Sequence, residues 1–217
     1  MIEVQIQAGR AGLPGNLHLP NDASALVLFA HGSGSSRHSP RNQFVARTLN
    51  DAGLGTLLFD LLTPEEEAID MQTREMRFNI HLLAERLGYA TKWAKQQLQM
   101  RDFRIGYFGS STGGAAALVA AVDFPHDVGA VVSRGGRPDL AGEALPKVQA
   151  PTLLIVGGND DIVIELNEQA RDKMYCEVKM EIIPGATHLF EEPGALEKVA
   201  QLASDWFLNH ISAKSAH

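Results

Sequence analysis

The chain has 217 residues, of which 45% are hydrophobic and 21% are charged, proportions that are typical of a soluble globular protein. The formal net charge of −7 argues against nucleic acid as a main partner, because binding phosphates requires a basic face. No apolar run approaches the length of a membrane span and the N-terminus lacks a signal-peptide pattern, so we expect a cytoplasmic protein that does not bind membranes.

The first predicted elements are two short strands in which apolar and polar residues alternate. Their sequences are IEVQIQ, which begins at residue 2, and GNLHLP, which follows a Gly/Pro turn. Alternation of this kind is typical of strands with one buried face. We expect the two strands to pair antiparallel at the edge of a sheet.

From residue 25 onward, buried strands alternate with helices. The strand-like runs are ALVLFAH, LGTLLFD, RIGYFGS, GAVVSR, TLLIVGG and the more polar VKMEII. The helix-like segments between them are residues 40–52, 76–100, 112–122, 162–173 and 194–211. Nearly continuous apolar strands that alternate with helices predict an α/β fold, with a mostly parallel sheet covered by helices on both faces.

The chain shows no linker, repeat or low-complexity segment, so we expect one domain over residues 1–217, with a frayed tail at SAKSAH. In a parallel sheet with right-handed crossovers, the carboxyl ends of the strands share one edge. Ligands of open α/β sheets bind at that edge. The residues that follow each strand are therefore the candidates for a functional site.

A bend rich in small residues follows the strand RIGYFGS. The residues Gly109-Ser110-Ser111-Thr112-Gly113 match G-x-S-x-G between an apolar strand and an apolar helix. In that context the motif holds a nucleophilic serine in a strained turn, and the small residues on both sides let strand and helix pass closely. We predict that Ser111 is a nucleophile; the alternative is a glycine-rich turn that serves packing alone.

A serine hydroxyl needs a base, and the base needs an orienting acid. Among the eight histidines, His188 follows the last strand in a Pro/Gly-rich loop, and we predict that it is the base. Asp160 and Asp161 both follow the strand TLLIVGG; we favour Asp160 as the acid and expect the other to cap a helix. The order Ser111, Asp160, His188 is that of the α/β-hydrolase fold.

The segments HGSGSS, GSSTGG, GGNDDIV and GATHLF occur in this order, and with them the chain resembles small α/β-hydrolases of the dienelactone-hydrolase-like group. The resemblance covers about residues 25–210. The turn Gly109–Gly113 around residue 111 is called the elbow. Dienelactone hydrolases proper carry cysteine at the centre of this turn, where this chain has Ser111. This departure argues against dienelactone itself as the substrate.

Attack on a carbonyl group creates an oxyanion, which requires preorganised donors. The amide of Thr112, directly after the nucleophile, is one predicted donor. The resemblance places the second donor directly after His31-Gly32, which implies the amide of Ser33. It also implies that His31 holds this loop rather than transferring protons.

Six arginines lie in segments at the predicted reactive edge, namely Arg37, Arg41, Arg74, Arg77, Arg134 and Arg137. One interpretation is that they are surface residues paired with nearby carboxylates. The sharper hypothesis is that Arg37 or Arg134 binds an anionic group of the substrate through paired hydrogen bonds.

Only about 17 residues separate GAVVSR from TLLIVGG, which leaves no room for a large helical lid. We therefore expect an open site, or one covered by residues 60–76, which look loop-like.

The prediction is a serine hydrolase for esters or thioesters of small soluble substrates, with no cofactor and no metal. Alternatives are an acyltransferase or peptidase with the same triad, and a binding protein without turnover. The sequence does not indicate an oligomeric state.

Overall fold

A computed structural model describes residues 1–212 of the chain. Within them, one sheet contains the strands β1 Ile2–Ala8, β2 Ala11–His18, β3 Ala25–Ala30, β4 Gly55–Phe59, β5 Arg104–Ser110, β6 Val128–Arg134, β7 Thr152–Gly157 and β8 Val178–Ile183. The strand order is β1-β2-β4-β3-β5-β6-β7-β8. Strands β3 to β8 are parallel, whereas the β1–β2 hairpin adds an antiparallel edge next to β4. The predicted sheet is confirmed.

Helices cover both faces of the sheet. Their bounds are α1 Pro40–Asp51, α2 Pro64–Thr73, α3 Ile80–Gln96, α4 Thr112–Asp123, α5 Asp161–Arg171 and α6 Ala195–His210. Helices α1 and α6 pack on one face, where Phe29, Phe108 and Phe207 lie in one apolar core. Helices α3 and α4 pack on the other face around a second core that includes Leu87 and Tyr107. This two-sided burial explains why the central strands are almost entirely apolar.

The prediction that residues 60–76 form a loop is wrong, because α2 occupies most of this segment. Thr63 accepts a hydrogen bond from the amide of Glu66 at 3.2 Å, and the Glu66 carboxylate accepts the Thr63 amide at 2.9 Å. Pro64 occupies the first turn, where its missing N–H costs nothing. This reciprocal capping box is a helix start that the sequence pattern T-P-E-E already contains.

Helix α3 is also shorter than the predicted segment 76–100, because it begins at Ile80 after Asn79 caps it. Phe78 therefore lies before the helix and is exposed, although its spacing matched the apolar face. The last five residues of the chain, which belong to the tail predicted to fray, lie outside the described residues.

No large lid covers the carboxyl edge of the sheet between β6 and β7. Residues Pro138–Lys147 form only 3₁₀ turns, which are interrupted at Gly142. The expected absence of a lid domain therefore agrees with the architecture of the described chain.

Within residues 1–212, none of the helices combines the length and the apolar character that crossing a membrane requires.

Candidate active site

Ser111 occupies the sharp turn between β5 and α4. Its φ is 51° and its ψ is −122°, a conformation that a residue with a Cβ rarely adopts. Ser111 is half-buried, whereas its neighbours Ser110 and Thr112 are buried. The strained turn therefore leaves this serine side chain at the carboxyl edge of the sheet, the geometry that the G-x-S-x-G prediction requires.

Two glycines make this turn possible. A Cβ on Gly109 would overlap the carbonyl oxygen of Gly113, and a Cβ on Gly113 would overlap the carbonyl oxygen of Ala30. Strand β5, helix α4 and the end of β3 thus meet without space for any side chain. The sequence prediction that small residues are needed on both sides of Ser111 has this close backbone contact as its structural basis.

Asp160 and His188 are brought together by the loops after β7 and β8. Asp160 Oδ2 lies 2.7 Å from His188 Nδ1, and the Asp160 side chain is 17% exposed while that of His188 is 42% exposed. When Nδ1 donates to the carboxylate, Nε2 remains as the acceptor of the imidazole. This is the orientation in which a histidine can accept a proton from a serine.

Backbone hydrogen bonds hold these two loops against each other. Gly158 N donates to the Ile183 carbonyl at 2.8 Å, and Asn159 N donates to the Ala186 carbonyl at 2.9 Å. These bonds precede Asp160 on one loop and His188 on the other. The distance between the carboxylate and the imidazole is therefore set by main-chain contacts.

Glu192 lies on the same loop as His188 and binds the residue before it. Its carboxylate accepts the Thr187 amide at 3.0 Å and the Thr187 hydroxyl at 2.6 Å. Phe190, two residues after His188, is buried and has a φ of 55°. The sequence reasoning missed Glu192, because no local pattern distinguishes a loop carboxylate that binds its own loop from one in solvent.

Ser111 and His188 both contact the segment that follows β6. The Ser111 amide donates to the Arg134 carbonyl at 3.4 Å, and the Arg137 amide donates to the Ser111 carbonyl at 3.1 Å. A Cβ on Gly135 would lie 3.5 Å from His188 Cε1. No hydrogen bond among residues 1–212 joins the Ser111 hydroxyl to the imidazole; such bonds commonly tighten only with substrate bound.

The two predicted oxyanion residues are joined through their side chains. Ser33 Oγ lies 3.1 Å from Thr112 Oγ1. Among the hydrogen bonds within residues 1–212, none uses the backbone amide of Ser33 or Thr112 as a donor. A Cβ on Gly32 would lie 3.1 Å from Ser111 Cβ, so the loop that carries Ser33 passes directly beside the elbow.

His31 lies buried beneath this loop and is engaged on both ring nitrogens. Its Nε2 accepts the Leu61 amide at 3.0 Å, so Nδ1 carries the proton and donates to the Gly32 carbonyl at 2.9 Å. Burial lowers the pKa of His31 below its ordinary value. The neutral ring thus connects the ends of β3 and β4, in keeping with a structural role.

Arg37 is held by the carboxylate of Asp60. Its guanidinium forms an ion pair with Asp60, and its amide donates to the same carboxylate at 2.7 Å. Three other edge arginines are paired as well, Arg41 with Glu191 at 3.7 Å, Arg77 with Asp70 and Arg137 with Asp139. Pairing with nearby carboxylates therefore describes these four residues.

Arg134, the last residue of β6, has a different environment. It is 7% exposed, and its Nε has no hydrogen-bond partner among the described residues. Its guanidinium carbon lies 5.8 Å from the centre of the Phe190 ring. Burial, together with the positive charge of Arg41, lowers the pKa of Arg134 to about 10, so the side chain stays charged at neutral pH.

Asp161 is exposed at the first position of α5, one residue after Asp160. The prediction that Asp161 caps the helix is wrong, because the capping position belongs to Asp160, whose side chain does not cap the helix. Within residues 1–212, no group of three or more His, Cys, Asp and Glu side chains is arranged to hold a metal ion.

Known proteins resemble this chain over nearly its whole length. A crystal structure of dienelactone hydrolase from Anabaena variabilis shares 58% identity, with a TM-score of 0.95 over 97% of this chain and 98% of that one. The esterase domain of a Rhodothermus marinus protein has a TM-score of 0.77 at 21% identity, over 97% of this chain and 99% of that chain, a likeness of fold alone.

A curated relative from Mycobacterium tuberculosis, named a putative phosphoribosyl transferase, is 56% identical over 209 residues. The match covers 96% of this chain and 46% of the relative, so the chain spans about half the length of the curated proteins that it matches. The family model for the dienelactone hydrolase family matches residues 17–212. This chain therefore belongs to the dienelactone hydrolase family.

Proposed function

We propose that the protein is a serine hydrolase that cleaves carboxylic esters or thioesters of small soluble substrates. Ser111 attacks the acyl carbon, His188 accepts the serine proton and returns it to the leaving group, and Asp160 orients the imidazole. Water then attacks the acyl-enzyme, with His188 again as the base, and releases the acid and Ser111.

The observation that carries this proposal is the strained turn at Ser111, together with a histidine that a carboxylate already orients and that contacts the same segment after β6 as Ser111 does. The φ of 51° at Ser111 is a conformation that persists only where the surrounding structure enforces it, and such strain is concentrated at functional sites. The 2.7 Å contact between Asp160 and His188 supplies the base. Ser33 and Thr112 offer amides for the oxyanion beside the elbow.

Three exposed apolar side chains lie close in sequence to residues of the site. Leu189 follows His188, Ile162 follows the Asp160 loop, and Leu140 lies close after Arg137 in the chain; each is at least 37% exposed. All three belong to segments that follow strands of the sheet at its carboxyl end, which supports a substrate with an apolar group.

The experiment is an activity profile over p-nitrophenyl esters and acyl thioesters of increasing chain length, with Ser111→Ala as the matched control. We expect turnover by the wild type and loss of at least about 10³-fold in Ser111→Ala. If Ser111→Ala kept its turnover, Ser111 would not be the nucleophile. Product analysis with an added alcohol distinguishes hydrolysis from acyl transfer, because a transferase forms a new ester.

An anionic substrate group is part of the proposal, and Arg134 is the residue that fits it, since Arg37 is already paired with Asp60. Arg134→Met should reduce kcat/KM for an ester that carries a carboxylate more than for its neutral analogue, and Arg37→Met should not discriminate between them. Equal losses on both substrates in Arg134→Met would refute this part.

We do not extend the transferase name of the Mycobacterium tuberculosis relative to this chain. More than half of that relative lies outside the match, since only 46% of it is covered. The residues gathered here, a serine with a histidine and a carboxylate, are suited to acyl chemistry.

A further inference from the structure

The segment between α2 and α3 is tied to the loop that carries Ser33. The Ser33 hydroxyl donates to the Arg77 carbonyl oxygen at 3.4 Å and lies 3.1 Å from Thr112 Oγ1. Since a serine hydroxyl has a single proton, the bond to Arg77 leaves Thr112 as the donor of the second contact. A short chain of hydrogen bonds thus runs from Thr112 through Ser33 to Arg77.

Asp70 organises the turn that presents this carbonyl group. The Asp70 carboxylate is buried; its Oδ1 accepts the amides of Met76 at 2.8 Å and Arg77 at 3.0 Å. Its Oδ2 accepts Arg77 Nε at 2.6 Å, and Arg77 Nη2 also donates to the Asp70 carbonyl at 3.3 Å. The main chain and the side chain of Arg77 are therefore both fixed by one residue of α2.

These contacts stabilise the ionised form of Asp70. Burial alone raises the pKa of its carboxyl group, but the hydrogen bonds from Arg77 and Met76 outweigh burial and hold the pKa below its usual range. The carboxylate therefore stays ionised at neutral pH and is directed at Arg77.

Arg77 also contacts the residue after Ser33. Gly34 has a φ of 66°, and a Cβ on it would lie 3.6 Å from Arg77 Nη1. The guanidinium therefore packs over the turn of the loop while the carbonyl oxygen holds the Ser33 side chain. A small cavity of about 20 Å³ in this region is lined by residues that include Ser33, Asp70, Arg77 and Thr112.

From this arrangement we infer that Asp70 and Arg77 are positioning residues that aim the Ser33 amide at the oxyanion. Asp70 fixes Arg77, the Arg77 carbonyl holds the Ser33 hydroxyl, and the Ser33 backbone is thereby kept in place beside Ser111. The inference rests on the proposed function, because the oxyanion forms only if Ser111 attacks an acyl carbon.

The test is a double-mutant cycle with Asp70→Asn and Ser33→Ala, assayed on p-nitrophenyl acetate. Asn at position 70 would direct an amide nitrogen at Arg77 Nε, two donors facing each other, whereas Ala at position 33 removes the hydroxyl and keeps the amide. Each single variant should lower kcat by about 10- to 100-fold with KM within about twofold, since a misplaced donor weakens transition-state binding. The double variant should be little worse than Ser33→Ala, because Asp70 acts through that hydroxyl.

Arg86→Met is the matched control for general loosening of α2. Arg86 is buried and anchors α2 by donating to Glu66 Oε1 at 2.6 Å, at the end of the helix opposite Asp70. This variant should unfold at a lower temperature and keep the wild-type kcat. Arg77→Lys, which keeps the charge and loses Nε, should reproduce the kcat loss of Asp70→Asn and serves if that variant does not fold.

The inference is overturned if Asp70→Asn lowers kcat equally with and without the Ser33 hydroxyl, or if Arg86→Met lowers kcat as much. It is also overturned if neither Asp70→Asn nor Arg77→Lys affects kcat. Full activity in Ser111→Ala is a different outcome: it refutes the proposed function, and the inference falls with it.

Discussion

Asp160 and Asp161 are adjacent in sequence and yet have different surroundings. Asp160 occupies the residue before α5, where an aspartate side chain ordinarily accepts an amide of the first helical turn. Its carboxylate is instead directed at His188, while Asp161 is exposed at the helix start. The Asp160 carboxylate therefore binds the imidazole of His188 in place of the amides of the first helical turn.

Exchanging each aspartate separately for asparagine tests this assignment. In Asp160→Asn the amide cannot stabilise the positively charged imidazole and favours the wrong tautomer, so kcat should fall by roughly 10⁴-fold. Asp161→Asn should stay within about twofold of the wild type, because its side chain is exposed. Steady-state kinetics on one ester decides; a larger loss in Asp161→Asn would reverse the assignment.

The buried neutral ring of His31 makes the stability of the folded state depend on pH. Its pKa in the folded protein lies below the ordinary value of 6.5, mainly because of burial. The unfolded chain therefore binds a proton at this residue more readily than the folded one. The free energy of unfolding must decline as the pH falls below 6.5, until the folded pKa is reached, and His31 contributes no slope well above 6.5.

This slope can be measured by chemical denaturation between pH 8 and pH 5, with His31→Gln as the comparison. The wild type should lose stability on acidification more steeply than the variant, which has no titrating group at this position. Parallel profiles for the two proteins would show that His31 is not held neutral.

Among the elements, β5 and α4 define the site because their backbones meet. Gly113 lies against the Ala30 carbonyl group at the end of β3, so the elbow is locked between two strands and a helix. Any Cβ at position 113 has to displace backbone atoms, which a side-chain rotation cannot relieve. The position of Ser111 depends on this contact.

Gly113→Ala should therefore reduce both activity and stability, with a cost of about 1–3 kcal/mol from overpacking. Gly12→Ala on β2 is the control, because a Cβ there meets the flexible end of the Gln5 side chain. Activity and thermal unfolding of the two variants are the readouts. If Gly113→Ala were as active and stable as Gly12→Ala, the elbow would not be closely packed.

The elements near the elbow could be predicted because their signals are local. The apolar run of β5, the glycines on either side of Ser111 and the loops after β7 and β8 are all visible in short windows of sequence. The start of α2 is also visible in the sequence as the Thr63–Glu66 capping box, although the three consecutive glutamates after Pro64 resemble a surface loop. The Arg37–Asp60 pair joins two loops 23 residues apart, and a pairing of that kind depends on the folded topology.

At the scale of the whole molecule, both apolar cores share one sheet. Val132 faces the α1/α6 core and Val131 faces the α3/α4 core, although they are neighbours on β6. Unfolding either layer would expose one face of the central strands. On this basis we propose that the chain is a single α/β-hydrolase domain.

A single domain should unfold in one cooperative transition, with equal calorimetric and van't Hoff enthalpies. Differential scanning calorimetry of the full chain provides both enthalpies. Two resolved transitions, or a calorimetric enthalpy well above the van't Hoff value, would divide the chain into independent units.

The central claim is that Ser111 is made nucleophilic by His188, and covalent labelling tests it without knowledge of the substrate. After reaction with a fluorophosphonate probe, mass spectrometry of the intact protein and of its peptides should show one adduct, located on Ser111. His188→Ala should slow labelling by at least about 10²-fold, because the hydroxyl loses its base. An adduct on another residue, no adduct in the wild type, or an unchanged labelling rate in His188→Ala would contradict the account.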